Sequence, residues 1–217
     1  MSDLDEIKNC LTLKLVYYGP ALSGKTTNLT RLHDLLHRDV KGQVMVLDTK
    51  NDRTLFFDML PVGIRAPSGL LIKIKIFTVP GQVAHDSTRK AVLSRADGII
   101  FVADSQINQS ENNLFSFENL VSNCNKLGMD IEKIPLVIQF NKRDLSKIVT
   151  EQEINQRWQT TPWPVYFSNA LAGNGVIETF TGLLSSLYQY TDKHYQLLET
   201  HGLDNKTFLS AITGSCK

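Results

Sequence analysis

The stretch "YYGPALSGKTT" at residues 17–27 decides the fold, and it directly follows the apolar run "LTLKLV" at 11–16. It places two glycines, a lysine and adjacent hydroxyl residues at the point where a predicted strand ends. A helix is predicted to open near Gly24, because leucines recur downstream at helical spacing. The residues that match the pattern G-x-x-x-x-G-K-[ST] are Gly19, Gly24, Lys25 and Thr26. In a strand–loop–helix context this pattern predicts a phosphate-binding loop.

The residue types of this loop suit a triphosphate. Glycines let backbone N–H groups turn inward around a phosphate, and the helix N-terminus adds roughly half a positive charge. The Lys25 ammonium provides a point charge for the β and γ phosphates, and the Thr26 hydroxyl is a ligand for Mg²⁺. We therefore expect the following residues to contact the nucleotide: Gly19, Leu22, Ser23, Gly24, Lys25, Thr26 and Thr27.

Apolar, β-branched runs alternate with amphipathic segments along the chain, which predicts an α/β fold with a mostly parallel sheet. "TLFFDMLPVGI" at 54–64 is read as an edge strand or an extended loop, because Pro61 interrupts it. The last helix is expected to run to about His201. We predict one domain over 1–201 and a weakly ordered tail over 202–217.

Composition limits the classes of partner and compartment. The 217 residues carry 23 basic and 22 acidic side chains with no long basic run, so no nucleic-acid partner is expected. The apolar runs are too short to span a bilayer and no lipidation motif is present, so no membrane anchor is expected. Three widely spaced cysteines indicate neither a disulfide framework nor a zinc cluster, which favours the cytoplasm.

Two further segments concern the base. "NKRD" at 141–144 follows a buried strand and matches N-K-x-D, although four residues are also compatible with a charged turn. The Asp144 carboxylate can accept hydrogen bonds from guanine N1 and N2, while Asn141 and Lys142 brace the loop and cover the base. A loop that closes over the base is expected in "SNALAGNG" at 168–175, where Ala170 would offer its N–H to guanine O6. Its flanking members are Asn169 and Leu171.

The chain resembles Ras-superfamily small GTPases, and specifically the bacterial MglA-type branch associated with cell polarity and gliding motility. The stretches that carry this resemblance are "YYGPALSGKTTN", "DRTLFFDMLP", "FTVPGQV", "GIIFVADS" and "VIQFNKRDL". The resemblance implies a P-loop fold with a six- or seven-stranded sheet and helices on both faces. It also implies GTP hydrolysis with Mg²⁺ and two switch segments that respond to the γ-phosphate.

Four residues are the candidates for action at the γ-phosphate. Gln82 follows Gly81, whose N–H can meet a γ oxygen, and the Gln82 amide can orient the attacking water, with a surface amide as the alternative. Arg53 is a candidate arginine finger supplied by the chain itself, with a solvated loop arginine as the alternative. Thr54 would close the first switch on Mg²⁺ and the γ-phosphate, as the Arg-Thr pair of MglA-type proteins suggests. Lys25 completes this catalytic set.

One position departs from ordinary small GTPases. Thr78 of "TVPG" stands where those proteins have an aspartate that supports Mg²⁺ through water, and the MglA-type branch shares this change. A hydroxyl supports the metal more weakly than a carboxylate, so slow unaided turnover is expected. A guanine-nucleotide-binding scaffold that does not hydrolyse GTP stays open as an alternative. An adenine-specific phosphotransferase is disfavoured by "NKRD".

The resemblance also implies partners. The activator of MglA-type proteins is a homodimeric roadblock-type protein, which favours the active position of the switches. Downstream polarity or motility effectors would bind according to switch state, and the chain alone is expected to be a monomer. The apolar "LFF" at 55–57 is the candidate contact, with burial in the sheet as the alternative.

Overall fold

The computed structural model describes residues 3–47, 57–80 and 86–214. The strands are β1 Asp3–Asp5, β2 Cys10–Tyr18, β3 Met45–Leu47, β4 Phe57–Arg65, β5 Leu71–Thr78, β6 Gly98–Asp104, β7 Leu136–Asn141 and β8 Val165–Phe167. The helices are α1 Lys25–Leu35, α2 Asp86–Leu93, α3 Ser110–Lys126, α4 Glu151–Trp158, α5 Val176–Tyr195 and α6 Asn205–Thr213. A short 3-10 helix, Ile107–Gln109, precedes α3.

The described strands form one eight-stranded sheet, in which seven strands follow the order β3-β4-β5-β2-β6-β7-β8. Strands β5, β2, β6, β7 and β8 pair in parallel, whereas β3, β4 and β5 pair antiparallel. β1 adds an antiparallel pairing to the first half of β2, where β6 has not yet begun. The predicted mostly parallel sheet is confirmed.

Helices cover both faces of the sheet, and the burial patterns of the strands explain why. β6 and β7 are buried at every position, as strands covered on both sides must be. One core cluster joins Leu15 and Tyr17 of β2 to α1, α5 and α6. The other joins Val16 and Tyr18 of the same strand to α2, α3 and α4. Successive side chains of β2 therefore point alternately into the two cores, one on each face of the sheet.

Pro61 does not place β4 at an edge, which corrects the expectation for that segment. β4 lies between β3 and β5, and Pro61 stands opposite Lys75 of β5. The carbonyl of Pro61 accepts a hydrogen bond from the N–H of Gly42 at 2.9 Å. Because the N and O of one strand residue point to the same side, the missing N–H of Pro61 faces the irregular segment around Gly42. The pairing with β5 therefore loses no donor.

The C-terminal region also differs from the expected tail. α5 ends at Tyr195, because Gln196 takes a left-handed conformation. α6 then packs onto the sheet with Phe208 and Ile212 buried in the first core cluster. Asp204 caps α6 by accepting a hydrogen bond from the N–H of Thr207 at 2.6 Å. Burial of these side chains, together with the cap, orders the segment.

Among the described residues, no helix combines the length and the apolar character that crossing a bilayer requires.

Candidate functional site

The phosphate-binding loop joins β2 to α1, as the motif predicts. Gly19 has φ +144°, and a Cβ there would stand 2.2 Å from the carbonyl oxygen of Val102 in β6. Gly24 has φ +99°, and a Cβ there would stand 2.2 Å from Nδ2 of Asn141. Both glycines are required by left-handed backbone and by contact with the ends of neighbouring strands. The loop is therefore held tightly at the carboxyl edge of the sheet.

The side chain of Lys25 lies buried over this loop. Its Nζ donates hydrogen bonds to the carbonyl oxygens of Gly19 at 3.1 Å and Pro20 at 2.6 Å. Burial, and secondarily the charge of Arg89, lower the pKa of Lys25 to about 7. A phosphate beside this group would favour its charged form again. The buried lysine is thus suited to pair with an anion.

The N-terminus of α1, which follows the same loop, has no side-chain cap. Gly24 occupies the N-cap without a side-chain hydrogen bond, and the first turn of α1 contains no acidic residue. Thr26 is exposed in that first turn. The hydroxyl of Ser23 is buried and has no hydrogen-bond partner among the described residues. Unfilled donors at a helix start suit an oxyanion.

Asn141 connects the three segments that the sequence nominates. Its Nδ2 donates to the carbonyl oxygen of Ser23 at 2.9 Å. Its Oδ1 accepts hydrogen bonds from the Ser168 hydroxyl at 3.0 Å and from the N–H of Ala170 at 2.9 Å. This buried amide therefore ties the phosphate loop, the "NKRD" loop and the last loop together.

The last loop differs from its expected hydrogen bonding. The N–H of Ala170, expected to face guanine O6, donates to Asn141 in this structure. The side-chain Oδ1 of Asn169 accepts from the N–H of Ala172 at 3.2 Å. Leu171 is 72% exposed, and its carbonyl oxygen accepts a hydrogen bond from Arg31 at 2.5 Å. The loop is thus held from both α1 and β7.

The "NKRD" loop presents an exposed carboxylate. Asp144 is exposed and makes no hydrogen bond or ion pair with the part of the chain that the structure describes. Arg143 supports the loop, because its Nη1 donates to the carbonyl oxygen of Val149 at 2.7 Å and its guanidinium lies over the Phe167 ring. Lys142 has φ +68°, an uncommon conformation for a residue with a side chain.

Thr78, at the position of the usual aspartate, has a carboxylate next to it. Its hydroxyl accepts a hydrogen bond from the N–H of Asp58 at 3.0 Å and donates to the Asp58 carboxylate at 3.2 Å. Side chains two positions apart on a strand point to the same face of the sheet, so Thr78 shares a face with Ile76 and Asp58 shares one with Leu60. Ile76 and Leu60 both belong to the core under α1. Both polar side chains therefore lie on the face of the sheet that α1 covers.

Four predicted residues, Arg53, Thr54, Gly81 and Gln82, lie outside the described residues, as does most of "LFF" at 55–57.

Sequence reasoning missed Arg89, which is 1% exposed. Its Nε donates to the carbonyl oxygen of Pro80 at 3.0 Å, and its Nη1 donates to Oδ1 of Asn119 in α3 at 2.8 Å. Arg89 precedes the buried Leu93 by one helical turn, so helical spacing was the signal that could have found it. Asp104, at the end of β6, was missed as well, and its contacts are described below.

Comparison with known proteins agrees with this geometry. Residues 3–187 match the ADP-ribosylation factor family. The chain is also 44% identical over 179 residues to "Mutual gliding-motility protein MglA" of Myxococcus xanthus (strain DK1622). That alignment covers 82% of this chain and 92% of the relative. These matches, together with a phosphate-loop motif on a sheet of this topology, place the chain in the ADP-ribosylation factor family of Ras-superfamily small GTPases.

Proposed function

We propose that this protein is a GTP-binding switch that hydrolyses GTP to GDP and phosphate with Mg²⁺. The observation that carries the proposal is the Asn141 side chain, which joins the phosphate loop to the loops expected to enclose the base. The buried Lys25 and the open start of α1 would hold the phosphates. The exposed Asp144 carboxylate would select guanine, because adenine lacks the N1 and N2 donors.

The described residues fit a magnesium ion. The Thr26 hydroxyl lies in the first turn of α1, and the half-buried Asp58 carboxylate lies on the sheet face below that helix. Oxygen ligands from hydroxyl and carboxylate groups, directly or through water, are those that Mg²⁺ prefers. Asp58 would therefore offset the absence of a carboxylate at Thr78. Bound Mg²⁺ would neutralise charge on the β and γ phosphates.

Hydrolysis itself is assigned to residues named from the sequence. Gln82 would orient the attacking water, Arg53 would spread positive charge over the transition state, and Thr54 would close on the metal. Unaided turnover is expected to be slow.

The proposed cellular role is carried over from the Myxococcus relative. The relative is named as a gliding-motility protein and is 44% identical, which supports a role in motility. A role in cell polarity and a cytoplasmic location are proposed from the sequence and its family resemblance. A homodimeric roadblock-type activator and switch-dependent effectors are the proposed partners of a chain that is monomeric alone.

Two experiments test the proposal. Nucleotide released from the purified protein on denaturation is expected to be GDP or GTP, and Asp144→Asn is expected to move the preference from GDP toward XDP. Bound adenine nucleotide, or an unchanged GDP preference in Asp144→Asn, would contradict the guanine assignment.

A guanine-nucleotide-binding scaffold without hydrolysis is the second candidate, favoured by Thr78 in place of the usual aspartate. Single-turnover release of the γ-phosphate, with Gln82→Leu as the inactive control, separates the two. Release no faster than in Gln82→Leu would favour the scaffold.

A further inference from the structure

The last residue of β6 carries a buried carboxylate with a complete set of donors. Nζ of Lys142 lies 2.6 Å from Oδ2 of Asp104. The backbone N–H of Gln106 donates to Oδ1 at 3.0 Å, and its side-chain amide reaches both carboxylate oxygens at 3.2 and 3.1 Å. Asp104 is only 3% exposed. A buried carboxylate needs such donors, because water cannot solvate it.

The backbone around Asp104 is also held. Its N–H donates to Oδ1 of Asn113 at 2.9 Å, and its carbonyl oxygen accepts from Nδ2 of the same residue at 2.8 Å. The N–H of Ser105 donates to the carbonyl oxygen of Asn141 at 2.9 Å. The carboxylate therefore has a defined position relative to the "NKRD" loop.

Both the backbone and the ammonium group of Lys142 are restrained. Its backbone takes the left-handed φ of +68°, and its ammonium is bound to Asp104. The alkyl stem between these two points is therefore restrained, although the Lys142 side chain is 28% exposed to solvent. Without Asp104, the ammonium would be free to turn toward solvent or toward a bound triphosphate.

We propose that Asp104 is a positioning residue for nucleotide binding, which holds the ammonium of Lys142 so that the lysine stem lies over the purine. This inference rests on the proposed guanine site. Asp104 acts through Lys142 and does not touch the nucleotide. Its removal would let Lys142 sample other rotamers, so each binding event would have to order the side chain again.

The first experiment measures dissociation of fluorescently labelled GDP from Asp104→Asn, Lys142→Met and the double variant. Asp104→Asn keeps the shape of the side chain but removes its charge. Loss of a charge-assisted hydrogen bond predicts GDP release faster on the order of tenfold. In the Lys142→Met background, Asp104→Asn is expected to change release less than about twofold, because the partner is already gone. Independent effects that multiply in the double variant overturn the proposal.

Asp97, just before β6, provides a matched control. It is also 3% exposed, and its carboxylate accepts a hydrogen bond from the N–H of Lys14 at 2.8 Å. Asp97→Asn is expected to lower thermal stability while leaving GDP release unchanged. Equal acceleration in Asp97→Asn and Asp104→Asn would mean that only stability is at work, which overturns the positioning role.

A second variant covers the case in which Asp104→Asn does not fold. Asp104→Glu keeps the charge but displaces the carboxylate by one methylene, and it is expected to accelerate GDP release in the same direction. When Asp104→Asn does not fold, unchanged release in folded Asp104→Glu refutes the inference. When Asp104→Asn folds, unchanged release in that variant refutes it. If the wild type binds GDP and Asp144→Asn shifts preference to XDP, the proposed function stands even when this inference fails.

Discussion

A change at Asn141 should disturb three segments of the candidate site at once. Its amide makes three hydrogen bonds, to the carbonyl oxygen of Ser23, the hydroxyl of Ser168 and the N–H of Ala170. Asn141→Ala removes all three and leaves three groups without their partner. At about 1 kcal/mol for each net hydrogen bond, the expected loss in the free energy of unfolding is about 3 kcal/mol.

The size of this effect is measurable by thermal unfolding. For a domain of this length, about 3 kcal/mol corresponds to a decrease in Tm of about 6–12 °C. Nucleotide affinity should fall as well, because the phosphate loop loses its connection to the base loops. Asn125, an exposed asparagine of α3, gives the matched control, and Asn125→Ala should change stability by less than about 0.5 kcal/mol. Equal Tm values for Asn141→Ala and the wild type would refute this reasoning.

Three other predictions follow from the structure. Because the pKa of Lys25 is about 7 when folded and 10.5 otherwise, stability of the nucleotide-free protein should rise with pH between these values. Chemical denaturation across that window should show a smaller rise in Lys25→Met, and an equal rise would contradict the lowered pKa. Gly24→Ala should cost about 1–3 kcal/mol and weaken GDP binding, since its Cβ would clash with Asn141; calorimetric GDP affinity equal to wild type would disprove this. Phe208→Ala should lower the free energy of unfolding by about 3–5 kcal/mol in urea titrations, against no change for the exposed Lys206→Ala. A loss below 1 kcal/mol would mean that α6 contributes little to the core.

The sequence predicted the sheet class well because its signals are local. β6 contains the continuous apolar run "IIFVA" and β7 the largely apolar "LVIQF", and covered strands of a parallel sheet favour that pattern. The start of α1 was predictable from Gly24 and the leucines that follow. The tail was mispredicted, because the order of α6 comes from burial of Phe208 and Ile212 against a sheet far away in sequence.

In the candidate site, too, the local motifs were predictable from the sequence and the long-range contacts were not. The phosphate loop and "NKRD" are contiguous motifs, so their residue types and spacing alone nominated a phosphate site and a base-reading carboxylate. The contacts that join them were not visible in the sequence. Asn141 reaches Ser23 across 118 positions, and Lys142 reaches Asp104 across 38.

The sequence by itself therefore determined the fold class and nominated the chemistry of the candidate site: a loop for phosphate and a carboxylate for the base. Only the tertiary structure decided which side chains hold those parts in place, namely Asn141, Arg89 and Asp104, and that Asp58 lies beside Thr78. The physical reason is that these contacts are made across neighbouring strands and helices. Their geometry depends on strand order and on burial away from water, which no single stretch of sequence contains.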